Sequence, residues 1–311
     1  MKMELKNKKI LVTGGGGFLG RYVLKVLEDE GAKNIFAPSS KDLDLRVREN
    51  CEKAVRGIDI IFHLAAQIGG IGFIDEFAGE VIYNNAIMGM ELMKAAKTAK
   101  VEKMIVMGSV CEYPKFAPLP LKEKNLWDGR LDDITGFYGM GKKILLMQGQ
   151  AYRKQYDFNS IHLLPVNLYG PGDHFNKTTA HVMSALITKF VEGCDKNLKE
   201  VTVWGTGRAT REFLFVEDAA KGIVTLAKNY DSTEPINLGS GVETPIRELV
   251  EMIRSLSGYE GKVKWDHSKP DGHPRRFMDI SKAAKYGFRA KTDLADGIKK
   301  TIDWYEKNKH E

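Results

Sequence analysis

The first half of the chain alternates short apolar runs with longer segments in which apolar residues recur every three to four positions. The short runs predict strands and the periodic segments predict helices. We predict strands at residues 9–14, 33–37, 58–63, 102–108 and 159–165. We predict helices at residues 18–30, 46–56, 80–99 and 136–157. This alternation predicts an α/β fold with a Rossmann-type, doubly wound parallel sheet that is covered by helices on both faces.

The alternation ends after Pro165. A turn cluster at 169–172 is followed by a predicted helix at 178–192 and a short strand at 201–204. A further helix is predicted from Pro245, with Thr244 as its N-cap and Pro245 at its first position. We therefore expect a second, smaller α/β substrate lobe. The expected dinucleotide-binding domain comprises residues 1–168 and 216–239, and the expected substrate lobe comprises 169–215 and 240–311.

Three glycines follow the first predicted strand in a G-x-x-G-x-x-G pattern: Gly14, Gly17 and Gly20. A helix is predicted to begin at Phe18. Glycine lets the backbone approach a pyrophosphate closely, and a helix N-terminus attracts its charge. The strand–turn–helix context favours a dinucleotide site over an ordinary glycine-rich connection.

The segment after the second strand bears on the choice of dinucleotide. An acidic residue there commonly holds the ribose hydroxyls of NAD. The chain instead has Ser39, Ser40 and Lys41, with no carboxylate before Asp42. Two hydroxyls and an ammonium can accept a 2′-phosphate, so we expect NADP, with NAD as the alternative.

A tyrosine and a lysine lie four residues apart on the helix predicted at 136–157. One helical turn separates Tyr138 from Lys142, so their side chains share a face. A neighbouring ammonium is expected to lower the pKa of the phenol. Such a pair is suited to exchange a proton with an alcohol oxygen while a nicotinamide carries hydride.

Ser109 and Cys111 follow the fourth predicted strand, at the edge of the sheet where ligands bind in open α/β folds. Ser109 could hydrogen-bond the same substrate oxygen as Tyr138. Cys111 could be a base facing the substrate if nearby cations lower its pKa, or a small apolar filler. His63 is expected to be a packed, hydrogen-bonded histidine rather than a catalyst.

Bulk composition narrows the function classes. The chain has 311 residues, 43% of them hydrophobic, and a net charge of +6 that is spread along the sequence. No basic stripe is interleaved with aromatics, so we expect anionic small molecules rather than nucleic acid as partners. No apolar run matches a membrane span and the first residues lack a signal-peptide core. The three cysteines have neither paired nor metal-type spacing, which predicts a cytoplasmic location and no metal site.

Several longer motifs carry a family resemblance. The chain resembles the extended short-chain dehydrogenase/reductases and, among them, the GDP-L-fucose synthase family of epimerase-reductases that act on GDP-4-keto-6-deoxy-D-mannose. The motifs are Ala65-Ala66 with Gly69-Gly70-Ile71, Gly108-Ser-Val-Cys-Glu-Tyr-Pro114, Tyr138-x-x-x-Lys142, Asn167-Leu-Tyr-Gly-Pro171, Ala180-His181-Val182, Val203-Trp-Gly-x-Gly207, Arg211-Glu-Phe213 and Ser268-Lys-Pro-Asp-Gly272.

The resemblance implies roles for individual residues. Ser109, Tyr138 and Lys142 would form the hydride-transfer triad, and Cys111 and His181 would be the base and acid of epimerisation. The residues expected to hold the GDP-sugar are Asn167, Lys189, Trp204, Arg211, Asp271 and Arg276. The residues expected at the cofactor are Gly14, Gly17, Phe18, Leu19, Gly20, Ser39, Ser40, Lys41, Leu45, Leu64, Ala65, Ala66, Lys142, Pro165, Asn167 and Leu168.

The chain also departs from the family pattern. Gly16 and Pro38 stand where relatives that use NADPH often carry arginines, and Lys189 replaces a larger basic residue. The stretches at 69–74 and 83–85 resemble GDP-mannose 3,5-epimerase, which however has a lysine in place of His181. Val110-Cys111 replaces the Asp-Glu pair of the sugar-nucleotide 4,6-dehydratases and disfavours that activity.

These observations favour an NADP-dependent epimerase-reductase acting on a GDP-4-keto-6-deoxyhexose. The alternatives are a redox-neutral 3,5-epimerase, a 4-keto reductase of another nucleotide sugar, and a non-catalytic dinucleotide-sensing regulator on the same fold. The family pairs the helices predicted at 80–99 and 136–157 in a four-helix bundle, so we expect a homodimer. The first of these helices carries more apolar side chains than one core-facing stripe needs: Ile82, Met88, Met90, Leu92 and Met93.

Overall fold

The computed structural model of the chain describes residues 3–176, 180–269 and 272–309. Its strands are β1 (Lys9–Thr13), β2 (Asn34–Phe36), β3 (Ile60–His63), β4 (Lys103–Met107), β5 (Ser160–Pro165), β6 (Asn167–Tyr169), β7 (Glu200–Trp204), β8 (Thr210–Phe215), β9 (Ile236–Leu238), β10 (Glu243–Pro245), β11 (Lys262–Asp266) and β12 (Arg275–Arg276). Its helices are α1 (Phe18–Asp29), α2 (Arg48–Ala54), α3 (Ile71–Glu76), α4 (Ala78–Thr98), α5 (Thr135–Tyr156), α6 (Val182–Asp195), α7 (Val216–Asn229), α8 (Ile246–Leu256), α9 (Ser281–Lys285) and α10 (Leu294–Asn308).

The central sheet has six parallel strands in the order β2-β1-β3-β4-β5-β9. Strands β3 and β4 are buried along their whole length because helices cover both faces. The predicted α/β class and parallel sheet are therefore confirmed. The chain passes from β1 to β2 on one side and then crosses to β3 on the other. This reversal opens a crevice at the carboxyl ends of β1 and β3, where doubly wound folds bind ligands.

Successive strand residues pack into different cores. Ile60 and Phe62 face the core that is covered by α1 and α7, and Ile61 faces the core that is covered by α2 and α4. Leu92 and Met93 of α4 are fully buried in that second core. The prediction that these two residues provide apolar surface for a dimer is therefore wrong, because the sheet already covers them.

A second sheet lies beyond the carboxyl edge of the first. β8 is antiparallel to β10 and parallel to β12 and β6. β7 and β11 form a separate two-stranded sheet. Helices α6, α8 and α10 pack around a further apolar core next to β7. The chain then returns through α7 to β9, which lies beside β5 in the central sheet.

The N-terminus of α8 differs from the sequence prediction. Pro245 is the N-cap and the helix begins at Ile246. Thr244 lies in β10, where it pairs with Arg211 of β8, so its backbone belongs to a strand and does not cap the helix. The helix predicted at 178–192 is observed at Val182–Asp195, and part of its predicted start falls on residues 177–179, outside the described ranges. Among the described helices, none combines the length and apolarity needed to cross a membrane.

Candidate active site

A glycine turn joins β1 to α1 at the crevice. Gly14 has a φ of +73°, and a Cβ at this position would lie 2.8 Å from the main-chain nitrogen of Ala65. Gly17 donates its N–H to the Gly14 carbonyl over 3.0 Å and is the N-cap of α1. A Cβ at Gly20 would collide with the Gly14 carbonyl oxygen. No side chain caps the first turn of α1, which contains Phe18 and Leu19, so its main-chain N–H groups are available to an anion. The glycine turn and this helix N-terminus together fit a dinucleotide pyrophosphate.

The loop after β3 forms the other wall of the crevice. The Ala65 N–H donates to the Thr13 hydroxyl over 3.3 Å, and the same hydroxyl lies 2.8 Å from Nδ1 of His63. Burial, reinforced by the nearby Lys142, lowers the pKa of His63 to about 3. His63 is thus a neutral, packed and hydrogen-bonded residue, as the sequence predicted. It fixes the loop that carries Leu64, Ala65 and Ala66 beside the glycine turn.

The segment after β2 is less favourable to a 2′-phosphate than the sequence suggested. Ser39, Ser40 and Lys41 are exposed, but the Ser39 hydroxyl donates to the Asp42 carboxylate over 2.5 Å. The structure therefore brings a carboxylate onto the very serine that was expected to bind phosphate. Leu45 is buried in the core beneath α2, with its carbonyl accepting from the Cys51 thiol over 3.2 Å.

Ser109 begins a single helical turn after β4. Its hydroxyl accepts the Cys111 N–H over 3.1 Å, and its own N–H donates to the Glu112 carboxylate over 2.8 Å. The turn leaves Cys111 half-buried against a small apolar cluster that contains Tyr138. A single turn thus carries two of the predicted catalytic side chains.

Helix α5 lies directly against this turn. A Cβ at Gly139 would collide with the carbonyl oxygen of Cys111, so only glycine permits the approach. Tyr138 and Lys142 are both buried on the same side of α5, and the Lys142 ammonium donates to the Ala65 carbonyl over 3.3 Å. The structure therefore brings Ser109, Cys111, Tyr138 and Lys142 to the carboxyl edge of the sheet, next to the cofactor loops.

The charge state of the Tyr138–Lys142 pair corrects one sequence expectation. Burial, followed by the nearby Cys111 and Glu112, raises the pKa of Tyr138. The expected lowering by Lys142 is not observed. Burial lowers the pKa of Lys142 to about 8, and Glu112 opposes that change. The phenol is consequently a proton donor at neutral pH, which suits the protonation of an alkoxide.

His181 is the N-cap of α6, which packs in the apolar core next to β7. Burial lowers its pKa, whereas the neighbouring Asp173 raises it. Asp173 is held in turn by the hydroxyl of Ser184 and by the N–H of His174. The net result is a lowered pKa for His181, with burial as the main cause and Asp173 as the group that opposes it. Convergence of His181 with Cys111 on one substrate stays a prediction.

The remaining second-lobe residues fall into two groups. Lys189 lies 5.5 Å from the ring centroid of the exposed Trp204, and Lys269 lies at the same distance from that ring. Arg211 and Arg276 are register partners on β8 and β12. Lys269 lies in the Ser268–Gly272 motif but was not predicted as a site residue, because its approach to Trp204 depends on the tertiary structure. Asp271 lies outside the described residues.

Asn167 connects the two sheets. It follows Pro165 and lies with Leu168 on β6, and its side chain donates to the Glu212 carbonyl over 2.9 Å. Part of its hydrogen-bonding capacity is therefore already used by β8.

A connection between the start of α5 and the second sheet was missed by the sequence analysis. Asp132 accepts the N–H groups of Ile134 and Thr135 at the start of α5, and its other oxygen lies 2.9 Å from Nε2 of His273. Burial would raise the pKa of Asp132, but these hydrogen bonds and His273 hold it at about 2. Arg211 donates to the His273 carbonyl over 2.6 Å. Helix α5 and the pair Arg211 and Arg276 are thus linked through Asp132 and His273.

Comparison with protein families agrees with this geometry. The profile of the NAD dependent epimerase/dehydratase family matches residues 10–239, which include both crevice loops, the Ser109 turn and α5. The chain belongs to this family. It is an NAD(P)-dependent epimerase/reductase, and the predicted enzyme class is confirmed.

Individual relatives of this epimerase/dehydratase cover nearly the whole chain. GDP-L-fucose synthase 1 of Arabidopsis thaliana is 38% identical over 98% of this chain and 95% of its own. A GDP-6-OMe-4-keto-L-xylo-heptose reductase from Campylobacter jejuni superposes with a TM-score of 0.91 at 27% identity, covering 99% of both chains. A GDP-L-fucose synthetase from Naegleria fowleri bound to NADP superposes with a TM-score of 0.89 at 27% identity, covering 100% of this chain and 97% of that one. The resemblance to GDP-L-fucose synthases is confirmed.

Proposed function

We propose that this protein is an NADP-dependent epimerase-reductase acting on a GDP-4-keto-6-deoxyhexose. The observation that carries the proposal is the Ser109–Glu112 turn packed against α5, where a half-buried thiol lies beside a buried tyrosine in one apolar cluster. A simple reductase has no use for the thiol. The alignment with a GDP-L-fucose synthase covers 98% of this chain at 38% identity, and it supports GDP as the nucleotide and a 6-deoxyhexose as the sugar.

The proposed chemistry begins at carbon. A ketone at C4 acidifies the protons on C3 and C5, because the resulting negative charge moves onto an oxygen that Ser109 and Tyr138 can hydrogen-bond. Cys111 removes a proton from one face, and His181 returns one to the opposite face, which inverts the centre. When bound, the dinucleotide supplies hydride to C4. Tyr138 then protonates the C4 oxygen, consistent with the raised pKa of its phenol.

The substrate would lie between the glycine crevice and the second sheet. We assign residues 1–168 and 216–239 to a cofactor domain and residues 169–215 and 240–311 to a substrate lobe. Trp204 with Lys189 and Lys269 offers an aromatic face and two cations to the nucleotide, while Arg211 and Arg276 offer charge to a diphosphate.

We propose NADP as the cofactor, since a structural relative has NADP bound. Ser40 and Lys41 are exposed beside the crevice and could contact a 2′-phosphate. The Asp42 carboxylate on Ser39 opposes it, so NAD is the alternative. The three cysteines of the chain are free thiols, which supports the expected cytoplasmic location.

The second candidate function is 4-keto reduction of a different GDP-sugar. The superposition on a heptose reductase with a TM-score of 0.91 favours it. In that case Cys111 would be an apolar filler and no inversion would occur at C3 or C5. A redox-neutral epimerase would instead invert these centres with no net use of cofactor.

A panel of 4-keto nucleotide sugars with NADPH and with NADH tests the function. We expect GDP-4-keto-6-deoxy-D-mannose to oxidise NADPH and to give a product whose C3 and C5 are inverted by NMR. Reduction without inversion would establish the reductase, and inversion without cofactor consumption would establish the epimerase. Binding of the dinucleotide without turnover of any sugar would favour the non-catalytic dinucleotide-sensing regulator.

We also propose a homodimer formed through α4 and α5. The outer face of α5 carries an apolar stripe of side chains that are between 38% and 49% exposed: Phe137, Met140, Ile144 and Met147. Their spacing of three or four residues places them in one line along the helix. Ile82, Met88 and Met90 on the neighbouring α4 are only half-buried.

The dimer can be tested by adding charge to this stripe. The double variant Met140→Glu/Ile144→Glu should be a monomer by light scattering at micromolar concentration, because two buried carboxylates would cost several kcal/mol. Lys154→Glu, at an exposed polar position near the end of α5, is the control and should stay dimeric. A wild-type protein that is monomeric under these conditions would contradict the proposal.

A further inference from the structure

A buried acid–histidine pair lies beneath the catalytic turn and has no part in the mechanism above. The Glu112 side chain is completely buried, and His162 on β5 is 3% exposed. Nε2 of His162 lies 3.0 Å from both carboxylate oxygens of Glu112. Oε1 of Glu112 also accepts the Ser109 N–H over 2.8 Å. The pair therefore reaches the main chain of a predicted catalytic residue directly.

The packing around the pair leaves it little freedom. A Cβ at Gly108 would collide with Oε1 of Glu112 and with Nε2 of His162, so glycine is required where the pair passes beneath the strand end. Lys143 donates to the Glu112 carbonyl over 3.2 Å. Side chain and main chain of Glu112 are thus both fixed, one from β5 and the other from α5.

Hydrogen bonding indicates the charge of the pair. Nε2 of His162 faces carboxylate oxygens, and a hydrogen on Nε2 rather than on Nδ1 gives that hydrogen an acceptor. Nδ1 is buried with no hydrogen-bond partner among the described residues, so a second proton there would be an unsatisfied donor. A neutral imidazole with hydrogen on Nε2 leaves Glu112 as the buried anion. Two donors, the Ser109 N–H and the imidazole N–H, stabilise it.

The charged and titratable groups around this anion come from several elements. Lys142 and Lys143 on α5 are the cations. The raised pKa of Tyr138 and of Tyr113 and the lowered pKa of His63 keep these three side chains uncharged, and Cys111 lies on the same turn as Glu112. Burial disfavours the Lys142 ammonium, and Glu112 opposes that effect. No other carboxylate acts on Lys142 among the described residues.

We propose that Glu112, oriented by His162, is a positioning residue that fixes the Ser109–Cys111 turn and supplies the counter-charge of the buried Lys142 ammonium. The first role follows from its bond to the Ser109 N–H. The second follows from its burial, because an anion in a low-dielectric interior acts over a longer distance than one in water. A neutral glutamine could serve the first role but not the second. The inference rests on the proposed function only in treating Lys142 as a residue that must be charged beside the cofactor.

The turn-fixing role can be measured without any sugar. Amide hydrogen exchange of residues 108–113 should be at least about tenfold faster in Glu112→Ala than in wild type. Glu112→Gln should stay close to wild type, because its carbonyl oxygen can still accept the Ser109 N–H. Unchanged exchange in Glu112→Ala would overturn this half of the proposal.

The charge role is tested by the pH dependence of NADPH affinity, again without sugar. Lys142 is assigned to the cofactor, so affinity should fall as the pH rises through its pKa of about 8. Removal of the Glu112 anion lowers that pKa, and Glu112→Gln should therefore shift the midpoint about one unit downward, a tenfold effect. Glu212→Gln is the matched control, because Glu212 is equally buried on β8 and does not act on Lys142. It should keep the wild-type midpoint.

A second variant guards against a folding failure of Glu112→Gln. His162→Leu removes the imidazole donor that orients the Glu112 carboxylate, and should shift the NADPH midpoint in the same direction. Midpoints that match wild type in both folded variants would overturn the counter-charge role. Since neither measurement uses a sugar, failure of the proposed function appears separately, as absence of turnover with the sugar panel.

Discussion

Substitutions at Cys111, His181 and Tyr138 are expected to separate two half-reactions. In deuterated water, wild-type protein with GDP-4-keto-6-deoxy-D-mannose should incorporate deuterium at C3 and C5 before reduction. Cys111→Ser should lose this exchange by about 10²–10⁴-fold, because a serine hydroxyl is a far weaker base than a thiolate. His181→Asn should show at most exchange without inversion. Tyr138→Phe should retain some exchange and yet fail to oxidise NADPH.

The measurement combines NMR of the sugar carbons with the absorbance of the reduced cofactor. The geometry makes the comparison sharp, since Cys111 and Tyr138 lie in one apolar cluster while His181 lies in the second lobe beside Asp173. NADPH affinity and thermal unfolding should be unchanged in Cys111→Ser and are the controls. If Cys111→Ser exchanges and inverts at the wild-type rate, the thiol is core filler and the 4-keto reductase becomes the preferred function.

Gly20→Ala is expected to weaken cofactor binding and to destabilise the fold. The new methyl group would collide with the Gly14 carbonyl oxygen and lie 2.7 Å from Gly15 Cα, and both are backbone atoms of the turn itself. Because α1 packs against the sheet, the strain must be relieved by moving the turn. We expect NADPH affinity to fall at least about tenfold, or 1.4 kcal/mol. We expect the free energy of unfolding to fall by about 1–3 kcal/mol.

Gly16→Ala is the matched control for this substitution. Gly16 lies in the same turn, and a Cβ there would meet nothing within 4 Å. NADPH affinity, measured by cofactor fluorescence, and stability, measured by thermal denaturation, should therefore be close to wild type in Gly16→Ala. Both should be well below wild type in Gly20→Ala. Equal losses in the two variants would show that the turn responds to any side chain and that close packing at Gly20 is not the cause.

The sequence predicted features that depend on a few neighbouring residues. The five strands and four helices predicted for the first half of the chain are observed within about two residues of their predicted bounds, whereas no bounds were predicted for β9, the sixth strand of the central sheet. The glycine turn and the Tyr138–Lys142 spacing were recognised because each depends on residues that lie within a few positions of one another in the sequence. The start of α8 was mispredicted because Thr244 lies in β10 and pairs with β8, a strand about 30 residues earlier in the sequence.

Charge states at the site depended on burial, which a sequence pattern does not contain. The Tyr138–Lys142 spacing suggested a phenol with a lowered pKa, and in the structure burial raises it. The segment at 39–41 suggested a phosphate site, and its fold turns Asp42 onto Ser39. In both cases the sequence pattern drew attention to the segment, and only the structure showed its environment.

What the sequence alone determined is the α/β class, the nucleotide turn and the identity of the residues at the carboxyl edge of the sheet. What the tertiary structure decided is which distant side chains meet them. His162 and Glu112 are 50 positions apart, and His273 and Asp132 are 141 apart, and each pair is formed only when strands and loops from separate segments are brought together. The physical reason is that hydrophobic periodicity and turn chemistry report on contacts along one element. A hydrogen bond between elements depends on how the sheet orders its strands and how closely its helices pack.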